Sequence, residues 1–355
     1  MIGLTRRRMA GGALTVASAI GSGAVSLAEP VAGTRSADAV EEASYVQIGG
    51  IQQWLQLRGA SRRNPVILVI HGGPGSTWDP LIGLFPEWEQ RFTMAYWDQR
   101  GAGKTYHLTG PDIGPTMTID RMVQDTIEVA EYLRLRTGHR KIIALAHSWG
   151  TVLGVMAVQK RPDLFSAYVG TGQLVNVLES EREGRLETLR RARAAGRADA
   201  VVELDALGSP PYDDINKMVV ERKWADAFDT PSDAAFNKAW RNPPDFTPEQ
   251  SAERRRAWLF STLIMFGQKQ QDGPVMKVNF FASARKFRIP MIFIQGSDDH
   301  ITPTSLVVRY EREIVAPKKV LSVLRGGGHD AITTMPDKFL ATMRQALGPL
   351  GAAQD

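Results

Sequence analysis

At 355 residues, 43% of them hydrophobic, the chain can bury a sizeable core and exceeds a typical single domain. Its formal net charge is +5, but Arg6, Arg7 and Arg8 lie in the first 28 residues, which hold no acid; the remainder carries only +2 and offers no basic patch for nucleic acid. There is no cysteine, so disulfides are excluded and redox chemistry says nothing about compartment.

Residues 1–28 read as a targeting segment. Thr5-Arg6-Arg7-Arg8-Met9 precedes a mildly apolar stretch rich in Gly, Ala and Ser, and Ser26-Leu27-Ala28 suits a small-residue cleavage site before Glu29-Pro30. Paired arginines before a weakly apolar core are similar to a twin-arginine signal, which predicts a bacterial protein exported to the periplasm or secreted. The stretch is too rich in small residues for a membrane span. Residues 29–43 then read as a polar linker.

Residues 45–57 hold two short alternating runs around Gly49-Gly50, the pattern of a β-hairpin at a sheet edge. Residues 65–70 form an apolar run that enters His71-Gly72-Gly73-Pro74-Gly75. Glycines let backbone N–H groups approach a substrate oxygen with no Cβ in the way, as an oxyanion site requires. A phosphate loop is the weaker alternative, because neither GxGxxG nor a Gly-Lys-Ser/Thr ending is present. A further strand is expected over residues 92–97. Residues 118–136 form an amphipathic helix with Thr118 as its N-cap.

The most informative element follows. Ile142-Ile143-Ala144-Leu145 leads into Ala146-His147-Ser148-Trp149-Gly150 and then a helix-like run. A strand that turns sharply into a helix through small residues, with serine at the apex, is the nucleophile elbow of an α/β-hydrolase fold. A serine needs a histidine to take its proton, and the histidine needs a carboxylate, in the chain order serine, acid, histidine. Only His300 and His329 lie after Ser148. His329 follows Arg325-Gly326-Gly327-Gly328 beyond the strand-like run 320–324, and is the expected base; His300 reads as a surface residue. The strand-like run 289–296 is followed by Asp298 and Asp299, either of which can orient His329. Asp299, three residues past the glycine, is favoured. The oxyanion donors are expected to be the N–H groups of Gly73 and Trp149.

A strand over residues 167–170, helices over residues 302–314 and 337–347, and the elements above alternate as in a mostly parallel, doubly wound sheet. The alternation fails over residues 172–286, where charged helical segments (178–207, 212–228, 248–266) replace strands. This reads as a helical cap inserted between core segments 44–171 and 287–350, covering the site and shaping its pocket. Gly72, Trp224, Trp258, Phe281 and Glu179 are candidate substrate contacts, although packing between cap helices competes for each aromatic. The run Glu179, Glu181, Glu183 and Glu187 reads as a solvated helix face.

His71-Gly72-Gly73-Pro74-Gly75, Trp97-Asp98-Gln99-Arg100-Gly101-Ala102-Gly103-Lys104-Thr105 and His147-Ser148-Trp149-Gly150 together resemble the signatures of the proline iminopeptidase (prolyl aminopeptidase) family. The resemblance implies Ser148 as nucleophile, Asp299 as acid, His329 as base, and residues 98–101 as a structural turn beside the oxyanion loop. It implies a serine hydrolase that frees an N-terminal proline; a small-molecule or short-peptide substrate is expected, with no metal and no cofactor. That family binds the substrate ammonium through acidic cap residues; Glu179, Glu181, Glu183 and Asp226 are stand-ins here. An exported esterase or amidase for hydrophobic substrates is the alternative activity, and a silent binding protein on the same scaffold the remote one.

Overall fold

The structure is a computed structural model that describes residues 38–83 and 85–352. The twin-arginine-like segment and most of the expected linker lie outside those residues. Among the described residues, no helix is long and apolar enough to cross a membrane.

Eight strands form one sheet: β1 (Val40–Ile48), β2 (Ile51–Gly59), β3 (Val66–Ile70), β4 (Thr93–Trp97), β5 (Ile142–His147), β6 (Phe165–Thr171), β7 (Met291–Gly296) and β8 (Lys319–Leu324). Their spatial order is β1-β2-β4-β3-β5-β6-β7-β8. β2 is antiparallel to β1 and β4, and every pair from β4 through β8 is parallel. β1 begins at Val40, inside the stretch expected to be linker, because its full length pairs with β2 from Val40↔Gly59 to Ile48↔Ile51. The hairpin turns through Gly49 and Gly50, both at positive φ, as a two-residue connection of this kind demands.

Central strands are covered on both faces, so their sequences are continuously apolar. Along β3, Val66, Leu68 and Ile70 join the core beneath α3 (Ile119–Thr137) and α4 (Trp149–Lys160). Ile67 and Val69 join the opposite core, with Trp88 of α1 (Pro86–Arg91) and with Phe339 and Met343 of α13 (Pro336–Leu347). Thr118 caps α3 by accepting the Arg121 N–H, and Gly138 ends it in the left-handed conformation. α2 (Gly103–Thr109) and α11 (Thr304–Glu313) complete the set around the sheet, with the single turn α12 (Ala331–Thr334) before α13.

Between β6 and β7 the chain builds the cap: α5 (Val177–Ala194), α6 (Ala198–Ala206), α7 (Ile215–Ala227), α8 (Pro231–Arg241), α9 (Pro248–Phe266) and the short α10 (Phe280–Ser283). The expected single helix over 178–207 is broken at Gly196, whose φ is 67°. α8 lies where no helix was expected; Asp233 is its one fully buried residue, and Phe236 packs partly buried on the core. Leu189, Ala192, Ala200, Leu204 and Trp224 give the cap a small core of its own.

Parallel strands present their carboxyl ends along one edge, where sheets of this type gather ligand-binding loops. The pairings Ile70↔Ala146 and His147↔Thr171 bring the ends of β3, β5 and β6 level there, and Gly296↔Leu324 those of β7 and β8.

Candidate active site

Ser148 has φ 53° and ψ −125°, and among the described residues it alone other than glycine has positive φ. Such a conformation costs on the order of 1–3 kcal/mol and persists only when its surroundings enforce it. The enforcement is visible. A Cβ on Gly150 would stand 2.0 Å from the Ile70 carbonyl oxygen, so only glycine lets α4 cross β3 this closely. Ala146 replaces the usual glycine at the other tight position. It is tolerated because the facing residue is Gly154, whose own Cβ would lie 3.0 Å from that of Ala146.

The turn aims Ser148 Oγ at His329, 2.9 Å from Nε2. His329 Nδ1 lies 3.2 and 3.1 Å from the two oxygens of Asp299. An ionised carboxylate only accepts, so Nδ1 carries the proton and Nε2 is free to accept from the serine. Asp299 is fully enclosed and also accepts from Ile301 N–H (3.0 Å), Thr302 N–H (2.8 Å), Thr302 Oγ1 (2.6 Å) and Gln295 Nε2 (3.1 Å). Burial pushes its pKa up, but His329 and these donors outweigh burial and hold it below the usual carboxylate range. Asp298 accepts from Ser297 Oγ, and of the two aspartates it is Asp299 that meets the histidine.

Burial by itself would lower His329. Asp299 first, then Asp330 and Asp229, act against it and raise the histidine above its ordinary value. The loop after β3 faces this pair: a Cβ on Gly72 would sit 3.0 Å from Ser148 Cβ, and Gly73 has φ 117°. The Trp149 N–H opens α4, where backbone donors have no partner within the helix. A strained serine, a tautomer-fixed histidine and donors at a helix N-terminus form a constellation able to attack a carbonyl carbon.

A profile described as the alpha/beta hydrolase fold matches residues 65–334. The chain belongs to the α/β-hydrolase family. It is similar to a probable aminopeptidase, YbaC, of Bacillus subtilis (strain 168), at 28% identity over 307 residues, 84% of this chain and 93% of that protein. It is also similar to a proline iminopeptidase of Heyndrickxia coagulans, at 21% identity over 296 residues, 80% of this chain and 91% of that one. In fold it matches the crystal structure of proline iminopeptidase from Mycobacterium smegmatis, with a TM-score of 0.61 and 19% identity over 87% of this chain and 99% of that one.

In this hydrolase the residues 98–101 are structural braces. Gln99 donates its N–H to His71 Nε2 (3.2 Å) and its amide to the His71 carbonyl (2.9 Å), while its Oε1 accepts the Trp149 indole N–H (3.1 Å). One side chain thus ties the glycine loop to the elbow. His71 Nδ1 donates to the Gly72 carbonyl at 2.8 Å, and burial holds the ring neutral, at a pKa of about 4. Arg100 is buried against Asp125 (2.8 Å), the Gly49 carbonyl (2.8 Å) and Thr116 Oγ1 (2.9 Å), locking the hairpin turn to α3. Asp98 accepts from Thr77 Oγ1 and from the Lys104 N–H (2.8 Å), and burial raises its pKa to about 6.

Several expected substrate contacts are engaged elsewhere. Trp224 packs inside the cap on Phe228, and its indole donates to Glu203 at 2.7 Å. Phe281 meets Tyr310 edge-on and carries the Arg309 guanidinium 3.7 Å from its ring centre. Glu179 pairs with the same Arg309 at 2.8 and 2.9 Å. Glu181 is buried against Arg222 and Gln271 (2.8 Å), which corrects its expected place on a solvated face. Glu183 accepts from Ser305, and Asp226 pairs with Arg241. Trp258 is 42% exposed, but α9 at this point lies directly over Gly75. His300, expected at the surface, is buried: its Nε2 donates to the Ala225 carbonyl at 3.1 Å beneath the cap.

Four residues near the site escaped the sequence reading. His147 and Asp330 flank Ser148 and His329 in the chain, and that adjacency was the signal available. His147 Nε2 stands 3.2 Å from the His329 carbonyl oxygen and 3.5 Å from Asp330 Oδ1. Asp229 and Asp233 come from the cap and carried no signal at all. Burial raises Asp229 and Asp330 to about 7 each, with Asp233 pushing both further up and His329 pulling them down.

Proposed function

We propose that this protein is a serine hydrolase acting through an acyl-enzyme intermediate, with N-terminal aminoacyl amides or short peptides, prolyl ones first, as substrates. The observation that carries the reading is the strained Ser148 held 2.9 Å from a histidine whose other nitrogen is committed to Asp299. His329 takes the hydroxyl proton as Ser148 Oγ attacks the carbonyl, and then gives it to the leaving amine. The N–H groups of Gly73 and Trp149 receive the developing oxyanion. Water, deprotonated by the same histidine, releases the acid and restores Ser148. Asp299 stays ionised throughout and steadies the imidazolium.

The choice of a free amine rests on the names of the relatives and on the acid surrounding His329. Asp229 and Asp330 are carboxylates whose ionisation burial opposes. A substrate ammonium among them would supply the missing counter-charge, and its binding would release protons near neutral pH. N-acetylation removes that charge. The test compares prolyl-, alanyl- and N-acetyl-prolyl-naphthylamide with short and long p-nitrophenyl esters. Preference for the free amines is expected; turnover confined to esters or blocked amides would replace this reading with an esterase or amidase.

A further inference from the structure

α8 docks on the sheet core in an unusual way. Its one buried residue is a carboxylate, Asp233, with no exposed surface. Enclosing a carboxylate is costly unless it is hydrogen-bonded, and Phe236 of the same helix already packs, partly buried, on the core, so a foothold alone does not call for Asp233. The bonds Asp233 makes explain the placement. Oδ2 accepts the Asp330 N–H at 3.1 Å, and Oδ1 accepts the Thr334 hydroxyl at 3.0 Å. Thr230, the N-cap of α8, fixes Asp233 from behind by accepting its N–H at 3.1 Å. The core has left room for this contact: a Cβ on Gly328 would fall 2.1 Å from Asp233 Oδ2.

The Asp330 N–H belongs to the same peptide group as the His329 carbonyl. That carbonyl accepts from His147 Nε2 at 3.2 Å, and His147 sits on the nucleophile turn. Both polar atoms of one planar peptide are therefore held, one by the sheet edge and one by the cap. Fixing the plane fixes the direction in which the His329 side chain leaves it. We propose that Asp233 is a positioning residue: with His147 it clamps the His329–Asp330 peptide, so docking of α8 holds His329 in line with Ser148. This rests on the serine-hydrolase reading above.

The full chain is compared as wild type, Asp233→Ala and Asp233→Asn. The readouts are the rate of Ser148 modification by an alkyl fluorophosphonate, kcat and KM on a p-nitrophenyl ester, thermal midpoint, and hydrogen exchange at the Asp330 amide. A displacement of about 1 Å at a reacting group costs on the order of 100-fold, so Asp233→Ala is expected to slow labelling and kcat by roughly 10- to 100-fold with KM little changed. Its Asp330 amide is expected to exchange faster. Asp233→Asn keeps an oxygen for that N–H, and its amide can donate to the Thr334 hydroxyl, so it should recover most of the rate.

Wild-type labelling in Asp233→Ala despite faster exchange would overturn the proposal. So would equal losses in both variants accompanied by equal falls in thermal midpoint, which would mark Asp233 as structural only. If the wild type itself resists the probe, the serine-hydrolase reading fails. The clamp is then judged by exchange alone: an unchanged Asp330 amide sinks it, and a faster one in Ala but not Asn sustains it.

Discussion

Two regions converge on His329 and differ in how they are built. At the sheet edge, Ser148, Asp299, Gly73 and His329 stand where strands end, and their positions follow from backbone geometry: a positive φ, a glycine against a strand, four donors around one carboxylate. The cap makes its contacts through long or charged side chains. Glu181 meets Arg222, Arg191 reaches the Asp298 carbonyl (3.0 Å), and Asp233 takes the Asp330 N–H. The edge is constrained by backbone geometry at Ser148, Gly150 and Gly73, whereas the cap reaches the same place through side chains. On the proposed function, chemistry belongs to the first region and choice of substrate to the second.

The comparison breaks most readily at the serine. Ser148→Ala is expected to lower turnover by about 10⁴- to 10⁶-fold with the fold retained, and His329→Ala by a similar factor. On the proposed mechanism the two act as one unit, so the double variant should lose little more; additive losses in kcat would show that they do not. Next comes the acid. Asp299→Asn should cost on the order of 10⁴-fold in kcat by removing the partner that fixes the Nδ1 tautomer, while Asp298→Asn stays within a few-fold. The reverse ranking would reassign the acid.

The brace at Arg100 tests stability in place of rate. Arg100→Leu leaves Asp125 buried with only Arg121 (2.9 Å) for charge, and calorimetry or denaturant titration should show a loss of about 3–5 kcal/mol. A loss under about 1 kcal/mol would mean the pair is solvated in practice.

The smallest effect sharpens the cap side. Asp229→Asn should raise KM for free aminoacyl amides by about 10-fold or more, with N-acetylated amides and esters unaffected. Asp229 and Asp330 are held up to about 7 by burial and must be ionised to meet an ammonium, so KM for free amines should fall as pH rises through that range. The proposed mechanism also needs the deprotonated form of His329, whose pKa is raised, so kcat should climb with pH to a midpoint above the ordinary 6.5. KM flat from pH 5 to 8 would remove these carboxylates from substrate binding.

The sheet edge was legible in the sequence because each of its parts is bound to a local pattern. The apolar run before Ser148, the glycines after β3 and the chain order of serine, acid and histidine each point to one place. Even the preference for Asp299 over Asp298 agrees with the geometry. The partner of Arg100 was hidden, since Asp125 lies 25 residues away on the inner face of α3. The cap was the poorest reading. Trp224 packs on Phe228, and Phe281 and Glu179 share Arg309; aromatic or acidic character alone cannot separate a packing role from a pocket wall. Asp233 was invisible for the opposite reason: a charged residue in the first turn of a helix gives no sign that it is the one turned inward.

One experiment addresses the central claim directly. The full chain, shown to be folded, is treated with an alkyl fluorophosphonate and the adduct is located by peptide mass spectrometry. The account predicts a single stoichiometric adduct on Ser148, with hydrolytic activity lost in proportion and no labelling of Ser148→Ala. Full activity in a protein that takes up no probe, or an adduct on another residue that abolishes activity, would contradict it.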